Sequence, residues 1–563
     1  MSNNIFTEVQ KRSLPRNKFD MSFDTKFTTK FGRLTPCLIK ELMPGDSFRH
    51  QHAAYVQFAP FNTLMMHRFY IKTEYFYVPN RLVYEQFNEF LVGGEDGTLI
   101  LQPPCATLGK LYDDNIGKCG NTSSLGDYLG LPSTGTFGGK NDNYLINTMP
   151  FRAYQMIYNE WYRDENIIPK LEIPTIGGVE TDTDLKMLCT IRHRAWRKDY
   201  FTSALPWPQK GPEVKIPLGD VAYVYPFAVE NSVAAPWTNT ASQTLQNMGL
   251  TGDNAQILGL NAEPGTDDVT FGGSQSTYGQ TNAELADATH ILFTSKDANE
   301  DATPFGLVAD LRSATATSIE ELRRAYAVQA WLELNAIGGT RDVEQIYNHF
   351  GVKVPDYRLG RPEYIAGYSQ EINIGNVYST NSNNSGTDNI QGYPVSIANV
   401  NSGSDVFTFY AHEHGYLIGL CSVVPVASYF QGIPRYLGRR QDKFDYYWPS
   451  FAQLGEQPIY SDEIYLNNNE DTVFGYTPRY AEFKFSPDEI HGDFRTTLND
   501  YHDARIFTSE PSLNQNFIEV SDAIGQLNRI FNVEVDGEDN VYVDMYHAIS
   551  KVSSMVYFGN PKI

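Results

Sequence analysis

The clearest helical pattern of apolar and polar positions lies in residues 318–350. Apolar residues return every three or four positions from Ile319 to Leu334, which predicts one amphipathic helix. Ser318 and Glu321 have the spacing of a capping box, which satisfies the first backbone donors of that helix. Two glycines follow the helix, and a shorter amphipathic helix is predicted after them. We therefore expect a helix pair in this segment.

Most of the remaining pattern has a period of two, as half-buried strands do. This alternation predicts strands in residues 54–59, 68–78, 221–227, 405–429 and 541–546. Further amphipathic helices are predicted in residues 81–91 and 150–166. Many strands with short helices between them predict a mainly β fold.

Residues 230–301 break this pattern. They contain ten acidic residues and one basic residue, a net charge of −9, and their periodicity is poor. An irregular segment of this length is unusual inside a compact domain unless it is functional. Charge of a single sign is tolerated where water screens it, so an exposed insertion is predicted.

The N-terminal segment has the opposite charge. Residues 1–40 carry eight basic and three acidic residues, a net charge of +5, whereas the whole 563-residue chain has a net charge of −23. Phe19, Phe23, Phe27 and Phe31 recur there at a spacing of four. We interpret the segment as an extended basic arm whose phenylalanines dock on neighbours, the alternative being a solvated tail.

The composition sets the broad class of protein. Hydrophobic residues make up 41% of the chain and aromatic residues 13%, which excludes a disordered protein. The five cysteines are widely spaced without a C-x-x-C motif, which predicts reduced thiols in a protein that folds in the cytoplasm. No secretory signal and no membrane span are predicted, because the N-terminus and the rest of the chain lack the necessary apolar runs.

Several long motifs follow one another along the chain. They include FYIKTEYFYVPNRLVYEQFNEFL, IRHRAWRKDYFTSALPWPQKG, LRRAYAVQAWLE, GGTRDVEQIYNHFGV, PDYRLGRPEYIAG and HGYLIGLCSV. These motifs resemble the major capsid proteins of the Microviridae, small single-stranded-DNA bacteriophages, in their gokushovirus branch. The resemblance covers nearly the whole chain outside the variable loops. It implies a single eight-stranded antiparallel jelly roll, a viral β-sandwich whose long loop insertions carry short helices.

The resemblance also implies an assembly. Capsid proteins of this kind form a T=1 icosahedral shell of sixty copies around a circular single-stranded DNA genome, with protrusions at the threefold axes formed by an insertion in the interval of residues 230–301. The expected location is the virion, after folding and assembly in the bacterial cytoplasm. Expected partners are other copies of the chain, the DNA, internal DNA-binding, scaffolding and pilot proteins of the phage, and a host surface receptor, without insertion into a membrane.

The expected organisation has four parts. In chain order they are a basic arm (1–45), a jelly-roll core with helical and loop insertions (46–229), an acidic surface insertion (230–301), and the rest of the core with the helix pair and the C-terminal strands (302–563).

No catalytic motif of the P-loop, GxGxxG, HExxH or GxSxG type occurs in the sequence. His412 and His414 are the best metal candidates because a strand would point both the same way, but no third ligand is implied nearby. We therefore predict a structural protein without catalytic residues, metal or cofactor. The alternative is a carbohydrate-binding or hydrolytic β-sandwich, which would need a cleft with paired carboxylates.

Cations surround an aromatic residue at two places in the chain, around Trp196 and around Tyr436. Cations bind phosphates and aromatic rings stack on bases, which is the chemistry of single-strand binding without sequence readout. The candidate DNA-facing residues are Lys11, Arg12, Arg16, Arg192, Arg194, Trp196, Arg197, Lys198, Arg435, Arg439 and Arg440. The alternative is that these cations pair with carboxylates at subunit contacts.

Overall fold

The computed structural model describes residues 15–134, 136, 141–212, 214, 223–230, 233–234, 259–262, 269–272, 293–296, 302–310, 319–339, 341–378, 394–467, 472–521, 526–532 and 538–558. The chain divides into two compact units. Residues 1–211 and 332–563 form the first unit, and residues 212–331 form the second.

Strands dominate the described residues. In chain order they are β1 (Asn17–Asp20), β2 (Phe23–Thr29), β3 (Thr35–Leu42), β4 (Ser47–Phe58), β5 (Phe69–Pro79), β6 (Cys105–Thr107), β7 (Leu145–Asn147), β8 (Tyr223–Glu230), β9 (Val233–Ala234), β10 (Gly259–Ala262), β11 (Val269–Gly272), β12 (Phe293–Lys296), β13 (Ala302–Asp310), β14 (Glu363–Glu371), β15 (Asn373–Tyr378), β16 (Pro394–Gly403), β17 (Phe407–Tyr410), β18 (Gly415–Pro425), β19 (Ser428–Tyr429), β20 (Glu456–Tyr460), β21 (Val473–Pro478), β22 (Asp488–Glu489) and β23 (Val541–Ser553).

The helices are mostly short. They are α1 (Asn80–Val83), α2 (Phe87–Val92), α3 (Leu108–Leu111), α4 (Leu125–Tyr128), α5 (Met149–Ile157), α6 (Asp182–Leu188), α7 (Ile319–Gly338), α8 (Asp342–Phe350), α9 (Arg435–Gly438) and α10 (Gln515–Ile518). A π-helical turn, Tyr158–Tyr162, continues α5. Within the described ranges, no helix is both long enough and apolar enough to cross a membrane.

Two antiparallel sheets organise the first unit. One has the strand order β14-β5-β18-β3, and the other has the order β1-β23-β4-β16-β15, with β2 beside β23 and β17 beside β4. Successive strands change sheet, since β3 and β5 lie in the first sheet and β4 lies in the second. Two antiparallel sheets that exchange strands in this way are the arrangement of a jelly roll.

The apolar alternation places the core between these sheets. In β4 every second residue from Phe48 to Phe58 is buried, and β23 repeats the pattern from Val541. These side chains share one core with Leu417 and Val423 of β18 in the opposite sheet. Because side chains alternate between the two faces of a strand, the buried residues of each sheet lie on the face that packs against the other sheet.

The other face of β18 is buried as well. Ile418 and Phe76 of the four-stranded sheet pack in a second core with Tyr154 and Ile157 of α5 and with Leu185 of α6. Every residue of β18 is consequently buried, because helices carried by the long insertions cover the outer face of its sheet.

The predicted fold class, a mainly β antiparallel jelly roll with helix-bearing insertions, is confirmed, although the strand count is not eight. β1 and β2 follow one another along β23, and β16 and β17 follow one another along β4. The two sheets thus offer nine strand positions among the described residues. The additional position is filled by the N-terminal arm, which pairs with the edge of β23.

Two predicted helices differ in detail. The helix expected at 81–91 is divided into α1 and α2, because Tyr84 has an extended backbone with φ −145° and ψ 100°. The helix expected at 150–166 ends earlier, with α5 and its π turn. The predicted pair at 318–350 is found as α7 and α8, although Ser318 lies outside the described residues.

The second unit contains the acidic segment. Its backbone forms a four-stranded sheet in the order β12-β13-β8-β9 and a hairpin of β10 and β11. The irregular segment predicted at 230–301 therefore contains short strands, and the rest of that prediction falls outside the described residues.

Candidate nucleic-acid interface

The basic arm begins outside the described residues, where Lys11 and Arg12 lie. Arg16 donates a hydrogen bond to the backbone oxygen of Gly45, and its guanidinium lies 5.7 Å from the centre of the Tyr410 ring. The Arg16 guanidinium is therefore held next to the start of β1.

The phenylalanines of the arm pack within the subunit. A spacing of four is even, so Phe19, Phe23 and Phe27 share one face once the arm is a strand. The Phe23 ring lies 5.0 Å from that of His547, and Phe31 is buried in the sandwich core. In the described structure these contacts are with the chain's own strands, and docking of the phenylalanines on neighbours stays a prediction.

The first basic cluster lies on an extended segment, residues 192–196, that is held on both sides. The amide of Arg194 donates to the oxygen of Gly32 at 2.6 Å, and the carbonyl of Arg194 accepts from the amide of Val520 at 2.8 Å. The segment thus connects the end of the arm to a region far along the chain.

Arg194 forms a two-pronged ion pair with Glu74 of β5. Its two terminal nitrogens lie 2.7 and 3.1 Å from the two carboxylate oxygens, and Tyr162 donates a further hydrogen bond to the same carboxylate. Burial alone would raise the pKa of Glu74, but the bonds from Arg194 outweigh it and the pKa is lowered. This cation is neutralised inside the subunit.

Trp196 is only 3% exposed, and its ring is already occupied. The guanidinium of the buried Arg505 lies 4.9 Å from the centre of the Trp196 ring and 4.1 Å from that of Phe517. Arg505 also donates to the carbonyl of Phe517 at 2.7 Å. The aromatic residue predicted to stack on bases instead packs against a buried cation.

The other cations of this cluster differ in their exposure. Arg192 is half-buried, and its guanidinium lies 5.3 Å from the centre of the Tyr158 ring. Desolvation lowers the pKa of Arg192. Lys198 is exposed and pairs with Asp164 at 2.5 Å, whereas Arg197 is exposed without a carboxylate partner among the described residues.

The second cluster is a network of ion pairs. Arg435 lies 3.1 Å from a carboxylate oxygen of Glu463 and 3.7 Å from one of Glu482. Arg440 lies 3.0 Å from the same Glu482 oxygen. One carboxylate thus joins two guanidinium groups of this cluster.

Arg439 completes the network. It pairs with Asp462 at 3.1 Å, and its guanidinium lies 3.9 Å from the centre of the Tyr460 ring. Asp462 and Glu463 are adjacent in sequence, and both carboxylates are buried partners of arginines. The structure therefore places the three arginines of this cluster in contacts that hold the subunit together.

Sequence reasoning missed the partners of these cations. Glu74 alternates with apolar residues on a predicted strand. That position was the only signal in the sequence that Glu74 needs a cationic partner. Arg505 lies 309 positions from Trp196, and no local pattern connects the two.

The two metal candidates do not lie on a strand. Residues 411–414 form a bend, in which Glu413 pairs with Arg81 at 2.8 Å. Across the described ranges, no group of three or more His, Cys, Asp or Glu side chains has the geometry to hold a metal ion.

Comparison with known proteins gives one consistent result. A family model described as "Capsid protein (F protein)" matches residues 7–563. Capsid protein VP1 of Bdellovibrio phage phiMH2K is 34% identical over 99% of this chain and 97% of its own length. Capsid protein VP1 of Chlamydia phage 1 is 31% identical over 92% of this chain and 91% of its own, and that of Spiroplasma virus 4 is 28% identical over 91% and 89%.

Proposed function

This chain belongs to the capsid protein family of the F protein, and from that premise we propose that sixty copies form a T=1 shell around a circular single-stranded DNA genome. Membership of the family makes the chain a structural capsid protein of the virion in the Microviridae, not an enzyme. The observation that carries the proposal is the family match over residues 7–563, which spans both sheets and the second unit.

A closed shell needs contacts between copies, and the first unit exposes suitable side chains. Tyr446, Trp448 and Phe483 are 54%, 48% and 57% exposed. Aromatic residues are enriched in the cores of protein interfaces, while Lys, Asp and Glu are depleted there. Large exposed aromatic side chains of this kind support burial against neighbouring subunits.

Enclosure of DNA requires cations on the inner surface of the shell. Among the described candidates, Arg197 is exposed without a described carboxylate partner, and Lys198 is exposed although it pairs with Asp164. Lys11, Arg12 and Arg16 would add the charge of the arm. The other candidates are buried or paired within the subunit, so their predicted contact with DNA has less support from the geometry.

The acidic insertion is proposed to face outward at the threefold axes and to contact the host surface. Its net charge of −9 would repel a packaged polyanion, which favours the outside of the shell. Residues 212–331, which contain the insertion, form a compact unit of their own.

The proposed partners follow from this assembly. They are other copies of the chain, the genome, the internal DNA-binding, scaffolding and pilot proteins of the phage, and a host receptor. We propose that folding and assembly take place in the cytoplasm of the bacterial host.

Expression in a bacterial host, with and without the scaffolding protein of the phage, tests the proposal. Electron microscopy is expected to show closed shells of one diameter, and nuclease treatment is expected to leave single-stranded DNA protected inside the particles of the complete phage. A chain that stays monomeric with its scaffolding partner contradicts the shell, and particles of the complete phage without protected DNA contradict the role in enclosing the genome.

A further inference from the structure

The end of α8 and the turn after it form a surface of exposed rings and cations. We call residues 347–358 the α8 surface. Its exposed members are Tyr347, Phe350, Val352, Lys353, Tyr357 and Arg358. Phe350 is 78% exposed, and the ammonium of Lys353 lies 5.8 Å from the centre of the Tyr347 ring. Aromatic and cationic side chains therefore lie close together along one exposed segment of the first unit.

The α8 surface is firmly attached at its beginning. Arg341, just before α8, donates to the backbone oxygens of Asn159 and Arg163 at 3.1 and 2.9 Å. Gly351 ends the helix in the left-handed conformation with φ 69°. The helix is thus anchored to the π turn after α5, while its last turn remains exposed.

The α8 surface is also attached at its end. Arg361 pairs with Asp356 at 2.9 Å, and the guanidinium lies 4.1 Å from the centre of the Trp161 ring. Trp161 in turn donates to the backbone oxygen of Pro362 at 3.0 Å. These contacts fix the turn that carries Tyr357, so the exposed rings project from a supported backbone.

The charge of this surface is positive in a strongly negative protein. The α8 surface, residues 347–358, contains Lys353 and Arg358 against a single carboxylate, Asp356, a net charge of +1. Asp356 is already paired with Arg361. Within the described part of the chain, no carboxylate oxygen lies within 4.0 Å of Lys353 or Arg358. These two cations differ in this respect from Arg194 and Lys198, which pair with Glu74 and Asp164.

We propose that the α8 surface binds single-stranded DNA, with bases stacked on its aromatic rings and phosphates beside Lys353 and Arg358. Exposed rings accept unpaired bases of any sequence, and the adjacent cations neutralise phosphates. This inference rests on the proposed function, in which the shell encloses such a strand. A second copy of the chain is the competing occupant, and it would have to supply the carboxylates for Lys353 and Arg358, because Asp356 of this segment is already paired with Arg361.

The test measures binding of the full-length subunit to a fluorescent oligo-dT by anisotropy. Replacing both tyrosines, Tyr347→Ala with Tyr357→Ala, is expected to weaken binding roughly tenfold or more, because stacking contributes substantially for each base. Tyr144→Ala is the matched control, since Tyr144 and Tyr357 are 60% and 54% exposed, and its affinity is expected to stay within about twofold of the wild type.

A second pair of variants tests the phosphate contacts. Lys353→Gln and Arg358→Gln are each expected to lower the slope of log affinity against log salt concentration by about 0.7. Lys170→Gln, at another exposed lysine, is expected to leave the slope unchanged. Circular dichroism and the thermal midpoint confirm that each variant is folded, which its exposed position favours.

The results of these measurements distinguish failure of the inference about the α8 surface from failure of the proposed function. Unchanged affinity in the tyrosine pair and unchanged slopes in the lysine and arginine variants overturn it. If those variants also fail to form shells, the α8 surface is an interface between copies, and the inference is wrong while the shell proposal stands. Wild-type particles without nuclease-protected DNA contradict the proposed function itself, whatever the oligonucleotide measurements show.

Discussion

The Nε2 atom of His50 lies 2.9 Å from the Nδ1 atom of His547 in the interior of the sandwich. His52 lies directly opposite His547 on the neighbouring strand and is 2.8 Å from the hydroxyl of Tyr75. All three imidazoles are buried. The Tyr75 hydroxyl and the Tyr368 ring lie beside His52, while His547 is acted on by a backbone hydrogen bond at Cys37 and by the Lys40 ammonium. No described carboxylate lies within 4.0 Å of any of the three.

This cluster predicts that the subunit is destabilised by acid. Burial lowers the pKa of His50 to about 3 and those of His52 and His547 to about 4, from an ordinary 6.5. Above pH 6.5 the groups are neutral in both states and stability is complete. Between pH 6.5 and about 4 the unfolded chain binds protons that the folded chain cannot. Each histidine therefore lowers the free energy of unfolding by up to about 1.4 kcal/mol per pH unit.

Urea unfolding of the subunit at a series of pH values measures this loss. His52→Gln removes one of the three titrations and is expected to reduce the dependence of the unfolding free energy on pH. His491 is exposed and lies 3.1 Å from Glu489, so His491→Gln serves as the control. Equal pH dependence in the wild type and in His52→Gln would contradict the account.

The second prediction concerns the ion pair between Glu74 and Arg194. Glu74→Gln leaves a largely buried guanidinium without its charge partner, and a loss of about 3–5 kcal/mol in the free energy of unfolding is expected. Asp544→Asn breaks the exposed pair with Lys26 and is expected to cost less than about 1 kcal/mol. Denaturant titration compares the two variants. Similar losses of unfolding free energy in both would contradict a larger contribution from the buried Glu74 pair.

The third prediction concerns Gly32, where the arm meets the extended segment that carries Arg194. Its φ is 72°, and a Cβ atom there would lie 1.9 Å from the backbone oxygen of Val520. Gly32→Ala is expected to destabilise the subunit by well over 1 kcal/mol, because strain and overlap act together. Gly492 has a similar φ of 70° with open space around it, so Gly492→Ala should cost only about 1 kcal/mol. Equal thermal midpoints for the two variants would refute the role of the overlap.

The local pattern of the sequence predicted β4, β5, β8, β18 and β23 and the helices α7 and α8, but it did not predict β3, β14, β15 or β16. Alternation predicts β4 and β23 because one face of each strand contacts a single core. The pairing of Glu74 with Arg194, and of Trp196 with Arg505, depends on which strands become neighbours. The members of the first pair are 120 positions apart and those of the second are 309 positions apart. The residues around Arg194 and Trp196 in the sequence therefore do not identify their partners.

The fourth prediction concerns the acidic insertion. Deleting residues 230–301 and joining the ends with a short glycine–serine linker is expected to leave closed particles but to abolish infection, since the insertion is proposed to contact the host. Electron microscopy and plaque counts on the same preparation measure both properties. Loss of the particles themselves would show that the insertion is needed for assembly.

The mass of the assembled particle tests the central claim most directly. Sixty copies of the 63.5 kDa chain predict an empty shell of about 3.8 MDa, measured by charge-detection mass spectrometry. A single narrow peak at that mass, with a heavier peak for DNA-filled particles, is the expected result. A chain that remains at 63.5 kDa with its scaffolding partner, or forms assemblies without a defined mass, would contradict a closed T=1 shell.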